Sequence, residues 1–217
     1  MRRLSARVSG RYRRARGDRG LALVEMAIVS PFLALMLAGI LEYGTLWRDS
    51  LTATSSSRAA ARVVTNLGDD PLADYQALLA LHSGLAPIEG HTLEYVMIYL
   101  ASAVDGQPSA TCFDGAGDPV KDSGGFCNVY TGAEVATIVG LSCSDDSPCD
   151  EFPTDSACAG ADSLTADFCP GIRQTDQNVG LTSVGVWVRI SRDYTTGIFP
   201  GDGVTMEEYS VMKVEPR

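Results

Sequence analysis

The stretch that decides the fold is LALVEMAIVSPFLALMLAGILEYGTLW, residues 21–47. It contains no basic residue and two acidic ones, Glu25 and Glu42. As an α-helix rising about 1.5 Å per residue, it is long enough to cross a hydrocarbon core of roughly 30 Å. Glu25 lies near one end of the stretch, where a carboxylate costs less in lipid than at the centre. The stretch is therefore predicted to be a transmembrane helix.

An arginine-rich leader precedes this predicted span. Residues 1–20 contain eight arginines and one acid, whereas the chain from Leu21 onward contains nine basic and 26 acidic residues. Basic residues beside a span favour the cytoplasmic side, so the acidic remainder is predicted to lie outside. An acidic body also argues against a nucleic-acid partner, which would require a basic face.

Two simpler interpretations of the apolar stretch stay open at this point. One is a cleaved secretory signal with a small-residue site such as Leu37-Ala38-Gly39, although the apolar region is long for a signal and contains an acid. The other is a plain membrane anchor.

The order of residues at the end of the leader is more specific. Gly20 ends the basic leader, Leu21 follows it, and Glu25 is the fifth residue after the glycine. This order resembles the class III, type IV pilin-like signal, in which a prepilin peptidase cuts after a glycine and leaves glutamate at the fifth mature position.

The wider stretch around this signal is similar to the TadE/TadG-like pseudopilin family of Tad (tight adherence, type IVc) pilus systems. The matching features are Arg19-Gly20, Val24-Glu25-x-Ala27, Pro31, Gly39-Ile40-x-Glu42-x-Gly44, and a small-residue, arginine-bearing stretch that ends near Arg62. Met26 departs from the family, in which an aromatic residue often follows the glutamate. The resemblance covers about the first 65 residues and, weakly, residues 211–216, which look like the family's closing strand.

The resemblance implies a minor pseudopilin that supports pilus biogenesis and surface adhesion. It implies a single-pass protein of the bacterial cytoplasmic membrane, with its N-terminus inside and its head extracytoplasmic or pilus-associated. Gly20 and Leu21 would flank the prepilin peptidase cut, and Glu25 would be the assembly residue. The implied partners are membrane lipid, other pilin or pseudopilin subunits and the Tad assembly machinery. The alternative is an uncleaved single-pass protein whose cysteine-rich head binds a surface, as an adhesin does.

The predicted organisation is a basic leader at residues 1–20, a transmembrane helix at 21–47 and an extracytoplasmic pilin-like head at 48–217. The fold class is α+β: one long N-terminal helix, whose second half packs on a small antiparallel sheet. Hydrophobic periodicity predicts helix at residues 45–66 and 71–83, and strands at 92–103, 181–191 and 204–214. On the second of these strands Trp187 and Arg189 share a face, and we expect Trp187 to pack in the core.

Residues 106–178 are predicted to form a cysteine-rich loop region. It holds all six cysteines, Cys112, Cys127, Cys143, Cys149, Cys158 and Cys169. An even number of cysteines in a loop-rich stretch outside the cytoplasm predicts up to three disulfides. Six cysteines allow 15 connectivities, of which we expect pairing between near neighbours. A zinc site is disfavoured because no Cys-x-x-Cys occurs and neither His82 nor His91 is near.

Acidic residues recur in the same region and raise the question of calcium. Three of them are spaced four apart, Asp114, Asp118 and Asp122, and four cluster at Asp145, Asp146, Asp150 and Glu151. No calcium-loop motif with a closing glutamate is present, so a solvated acidic loop is expected and a calcium-stabilised loop is the alternative. The chain also lacks the common catalytic signatures, so we expect no enzyme, no catalytic residue, no cofactor and no metal.

Overall fold

The structure of the chain is a computed structural model that describes residues 14–102, 105–121, 124, 126–143, 152, 167–197, 199, 201 and 203–216. Side chains are described from Gly20 onward. The contacts within it divide the chain into two compact units, Met1–Thr45 and Leu46–Arg217. The β-sheet and the helices that cover it belong to the second unit.

The longest element is helix α1, Arg14–Leu67, which contains Pro31 in its interior. The predicted helical continuation over residues 45–66 is confirmed. Gly68 ends the helix with a positive φ of 58°. This left-handed conformation is common after a helix C-terminus, and glycine adopts it without the steric cost of a Cβ.

The second unit contains one antiparallel sheet in the order β2-β1-β3-β4. Its strands are β1 His91–Leu100, β2 Cys127–Thr131, β3 Ser183–Arg192 and β4 Val204–Lys213, and its further helices are α2 Ala73–Leu85 and α3 Gly132–Ile138. The long apolar helix and the small antiparallel sheet confirm the α+β prediction. Along each strand, successive side chains point to opposite faces of the sheet. Both faces of this sheet are covered.

One face of the sheet packs on α1 and α2. Val184, Val186, Val188 and Ile190 of β3 lie in this core, together with small α1 residues such as Ala53 and Ala60. Small side chains bring the helix close to the sheet, and Ser57 Oγ reaches Ser210 Oγ of β4 at 2.9 Å. The central layer of the second unit is therefore helix against sheet.

The other face of the sheet is covered by a loop that a disulfide holds in place. Cys112 is bonded to Cys127, the first residue of β2. The covered face includes Met97, Tyr99 and Trp187, and Trp187 is only 4% exposed. Trp187 therefore packs in the core, as expected from the sequence.

Arg189 fastens the same loop to the sheet. Its guanidinium forms salt bridges with Asp118, at 2.5 Å, and with Glu207, at 2.8 Å, and donates a hydrogen bond to Gly117 O at 2.8 Å. It also lies 5.1 Å from the centroid of the Trp187 ring. Hydrogen bonding to Asp118 and the charge of Glu207 outweigh desolvation and raise the pKa of Arg189 above its ordinary value.

The predicted cysteine-rich loop region, residues 106–178, also contains a strand and a helix that were not predicted from the sequence, β2 and α3. Among the described residues the sheet therefore has four strands and not the predicted three. Thr131 accepts a hydrogen bond from Glu134 N, and the Glu134 carboxylate accepts one from Thr131 N, which is a complete capping box. The sequence Thr-Gly-Ala-Glu is a helix-start signal that could have located α3 beforehand.

The boundaries of α2 also differ from the prediction of residues 71–83. The helix continues through Gly84, where an added Cβ would lie 2.6 Å from Ser56 Oγ. Glycine here allows close packing between α2 and α1, so a tertiary contact keeps in the helix a residue that was expected to end it. At the other end, the Asp70 carboxylate accepts a hydrogen bond from Leu72 N at 2.8 Å.

A fully buried ion pair joins α2 to the chain that precedes β3. Asp74 Oδ1 accepts a hydrogen bond from Arg173 Nη2 at 2.6 Å, and both side chains are 0% exposed. Asp74 Oδ2 accepts from Asn128 Nδ2 at 2.7 Å and from the Tyr130 hydroxyl at 3.0 Å. Burial, reinforced by the neighbouring Asp74 carboxylate, raises the pKa of Tyr130 well above its ordinary value, so this hydroxyl keeps its proton.

This polar cluster connects three elements that are distant in sequence. Asn128 also donates to Phe168 O at 2.9 Å and accepts from Phe168 N at 2.7 Å, while the Arg173 guanidinium lies 4.7 Å from the Phe168 ring centroid. Arg173 Nε and Nη1 have no hydrogen-bond partner in the part of the chain that the structure describes. A buried charge with so few spare partners depends strongly on its counter-ion.

We expect Arg173→Met to lower the free energy of unfolding by roughly 3–5 kcal/mol, because it leaves the Asp74 carboxylate buried without its counter-charge. The measurement is denaturant unfolding of the full chain in detergent, followed by circular dichroism. In the double variant Asp74→Leu/Arg173→Met both charges are removed, and a smaller loss is expected. A double variant less stable than the single one would contradict the counter-ion argument.

Candidate membrane and assembly segment

The N-terminal part of α1 presents apolar side chains on all sides. Thirteen large apolar residues between Leu21 and Leu41 are 46–73% exposed. A helix that is apolar all round is typical of a buried element or of a membrane span. Gly20–Leu67 is the one helix in the described part of the chain that is long and apolar enough to cross a membrane, a test that a signal sequence also meets.

The exposure of these side chains is unfavourable in water. Full burial of a large apolar side chain is worth about 1.5–3 kcal/mol, so thirteen of them on one unshielded helix favour transfer into lipid or into contact with other helices. The described residues of the first unit provide no second element to bury them. The segment therefore has the surface of a lipid-facing helix.

The structure places the predicted processing and assembly residues close together on α1. Gly20, Leu21 and Glu25 are all exposed. Leu21 and Glu25 are four residues apart, so they lie on the same side of the helix, separated by a rise of about 6 Å. Glu25 forms no ion pair with any described side chain.

Gly20 is not required by packing in the described part of the chain. A Cβ added there would meet no atom within 4 Å, and its φ is not in the left-handed region. Glycine inside a helix costs about 1 kcal/mol relative to alanine. The presence of glycine at this position therefore needs a reason other than the fold.

The carboxylate of Glu25 is accessible. Glu25 is exposed on the helix, and so are its neighbours Val24 and Met26. Another molecule can therefore reach this carboxylate.

The predicted cysteine framework is confirmed for the pair Cys112–Cys127, which are near neighbours in sequence. Cys143 and Cys169 are also disulfide-bonded. Cys149 and Cys158 lie outside the described residues. The Cys112–Cys127 bond links the loop before β2 to the first residue of that strand.

The acidic residues that the structure describes stabilise a loop. The Asp114 carboxylate accepts hydrogen bonds from the backbone N–H groups of Asp118 and Ala116, both at 2.8 Å, which lowers the pKa of Asp114. Asp118 pairs with Arg189. The other predicted calcium candidates, Asp122, Asp145, Asp146, Asp150 and Glu151, lie outside the described residues. Among the residues described, no group of three or more His, Cys, Asp and Glu side chains is arranged to hold a metal ion.

The two histidines are not assembled into a site. His82 is exposed on α2, and His91 Nδ1 lies 2.5 Å from Ile88 O at the start of β1. A cleft of about 490 Å³ beside Phe126 has Asp105 as the one charged residue in its described lining. A single carboxylate without a basic or acidic partner does not form a general acid–base pair.

The N-terminal part of the chain is similar to a known protein family. Residues 20–62 match the family described as TadE-like protein. The matched range contains Gly20, Leu21 and Glu25, whereas the sheet of the second unit lies outside it. Neither the curated proteins nor the solved structures contain a match to the chain.

We expect Leu33→Arg/Leu35→Arg to release the chain from membranes during alkaline carbonate extraction, because each arginine near the centre of a span costs about 2.5–3.5 kcal/mol. The matched control is Val179→Arg, which places the same charge at a side chain of the second unit that is 70% exposed. Retention of both variants in the membrane pellet would show that this segment is not the anchor.

Proposed function

From the TadE-like segment and the exposed apolar helix, which indicate a Tad pilus-related membrane protein, we propose that this chain is a minor pseudopilin of a Tad-type pilus. The leader stays in the cytoplasm, residues 21–47 span the cytoplasmic membrane of a bacterium, and the acidic head at residues 48–217 lies outside. A prepilin peptidase cuts between Gly20 and Leu21. The mature protein then joins other pilin or pseudopilin subunits through its N-terminal helix.

The observation that carries this proposal is the accessible carboxylate of Glu25 on an apolar, exposed helix one turn from Leu21. Cleavage after Gly20 would create an α-amine at Leu21. A carboxylate and an amine that pair between neighbouring helices offset part of the cost of placing each charge in lipid. Such a pair also fixes how far one helix is shifted along the next, because any other register leaves both charges unpaired.

Gly20 provides a second, independent argument for the same proposal. The fold does not require a glycine there, and glycine weakens the helix, so its presence is explained by recognition of the cleavage site. The arginines before it set the orientation of the span. These features lie within the first 25 residues and are independent of the head.

The head is suited to the outside of a cell. A disulfide persists in oxidising compartments, and Cys112–Cys127 covers one face of the sheet. A role of this head in surface adhesion is part of the proposal, with the adhesin-like, uncleaved membrane protein as its rival. The rival function shares the span and the disulfides and differs at the N-terminus.

Mass spectrometry of the chain purified from its native membrane separates the two functions. A pseudopilin is expected to begin at Leu21, because the peptidase removes the leader after Gly20. Reduction of a second sample counts the disulfides in the same experiment. A chain that begins at Met1 would favour the uncleaved adhesin-like protein, and Gly20→Val, which blocks the cut without removing the span, is the control for cleavage.

Glu25→Ala is expected to abolish incorporation into sheared pilus fractions while the chain stays in the membrane, because the substitution removes one partner of the intersubunit charge pair. Quantitative immunoblotting of membrane and pilus fractions provides the measurement. Glu89→Ala, at an exposed acid of the second unit, is the matched control and should incorporate normally. Normal incorporation of the Glu25 variant would refute the assembly role.

A further inference from the structure

Helix α1 carries a pair of exposed arginines within the second unit. Arg58 and Arg62 are both exposed, and they lie on the same side of the helix because they are four residues apart. Their neighbours Ser57, Ala60 and Ala61 are buried in the contact with the sheet and α2. The arginine pair therefore lies on the side of the helix that faces away from this core.

No partner in the described part of the chain neutralises the arginine pair. Neither Arg58 nor Arg62 forms an ion pair with a described acid, although four other basic side chains of the second unit do. These four are Lys121, Arg173, Arg189 and Arg192. Two like charges one helical turn apart repel each other. An acidic surface that approaches this side of the helix would relieve the repulsion.

A cleft of about 450 Å³ lies at the corner where the start of β1 meets the start of α3. Its lining includes Tyr95 and two carboxylates, those of Glu94 and Asp118. A shift of register between Leu93 and Tyr95 makes Glu94 an extra residue in β1, and such bulges change the direction of a side chain. At Gly132 an added Cβ would collide with Leu93 O, so glycine allows α3 to start this close to β1.

Both carboxylates of the cleft can accept a donor from another molecule. Glu94 is partly exposed and forms no ion pair with any side chain that the structure describes. Asp118 is paired with Arg189 through Oδ1, but its side chain is 54% exposed and a carboxylate has a second oxygen. The volume of the cleft is within the roughly 300–1,000 Å³ of ligand-binding clefts. A basic side chain can therefore enter it and find two acceptors.

The charge around the cleft is negative on balance. The two basic side chains near it, Lys121 and Arg189, are both in ion pairs with acids. The acids outnumber them by two, and they are Glu94, Asp118, Glu134 and Glu207. The positive end of α3 is also offset, because the Glu134 carboxylate accepts hydrogen bonds from Thr131 N and Oγ1. A cation is therefore attracted to this corner.

The arginine pair and the cleft lie on opposite sides of the second unit. Helix α1 packs on the face of the sheet that carries Val188 and Ile190. Tyr95 belongs to the other face, and Arg189 fastens Asp118 to that face as well. One copy therefore cannot place its own arginine pair in its own cleft. Two different surfaces that bind each other form a heterologous contact, which continues from one copy to the next.

We propose that Arg58 and Arg62 of one copy of this chain dock in the cleft at Glu94 and Asp118 of the next copy. A second copy is the occupant because the chain itself carries both complementary surfaces. Guanidinium and carboxylate groups form strong, charge-assisted hydrogen bonds, and the planar guanidinium fixes their geometry. The inference rests on the proposed function and deepens it, since it adds a contact between second units to the contact through the N-terminal helices.

The test measures energy transfer between donor-labelled and acceptor-labelled copies of the full chain in detergent. Arg62→Glu reverses a charge of the arginine pair, and Glu94→Arg reverses a charge of the cleft. The matched controls are Lys213→Glu and Glu89→Arg, which make the same charge changes at other exposed residues. In about 1 M salt, charges more than roughly 3 Å apart are screened, so the transfer that remains there reports association of the apolar helices and is subtracted.

Arg62→Glu and Glu94→Arg are each expected to raise the salt-sensitive dissociation constant roughly tenfold or more, because like charges then face each other. The two control variants are expected to match the unmodified chain. A mixture of Arg62→Glu copies with Glu94→Arg copies is expected to associate again, because the intact arginine pair of one variant meets the intact cleft of the other. This recovery also shows that both variants are folded.

The contact would be overturned by an unmodified chain without salt-sensitive transfer, by equal transfer in all variants, or by a mixture that associates no better than its components. The proposed function is decided separately, by the mature N-terminus and by incorporation into pilus fractions. A chain that begins at Leu21 and enters pili without salt-sensitive transfer would refute this inference alone. A chain that begins at Met1 would refute the proposed function.

Discussion

The structure depends on helix α1 having two kinds of surface along one continuous element. Up to Leu41 its large apolar side chains point outward on all sides, and burial in water-free surroundings is the only way to lower their free energy. From Ala53 onward the buried positions carry small residues, such as Ala60 and Ser57, which draw the sheet against the helix. Large side chains make the first part attractive to lipid, and small ones make the second part compatible with close packing.

The sheet needs a cover on its second face as well, and that cover is irregular chain. This loop has hydrogen bonds of its own around Asp114, and attachments to the sheet add to them in offsetting its conformational entropy. The bond between Cys112 and Cys127 provides one attachment, and the Arg189 cluster with Asp118 and Glu207 provides another. A covalent link between chain segments 15 residues apart is worth about 3 kcal/mol in the chain-entropy account. This explains how an acidic, loop-rich region shields an apolar surface that includes Trp187.

Much of the fold could be predicted because its signals are local. Each of these signals is contained in a short stretch. They are the apolar run, the glycine after Leu67, the alternation on β3, and the order from Gly20-Leu21 to Glu25. Strand β2 was missed because its five residues follow a glycine-rich, cysteine-bearing stretch, although the capping box at Thr131 marked the helix after it. The pair Asp74–Arg173 left no local signal, since its partners are 99 residues apart and each looks like an ordinary surface charge.

That separation has a consequence for the order in which the second unit can form while the chain is synthesised from its N-terminus. Asp74 emerges long before Arg173, and a lone carboxylate in an apolar interior is too costly to bury. Helix α2 therefore cannot settle finally on the sheet until most of the polypeptide has been delivered. The late arrival of one guanidinium therefore delays completion of the second unit until most of its chain is present.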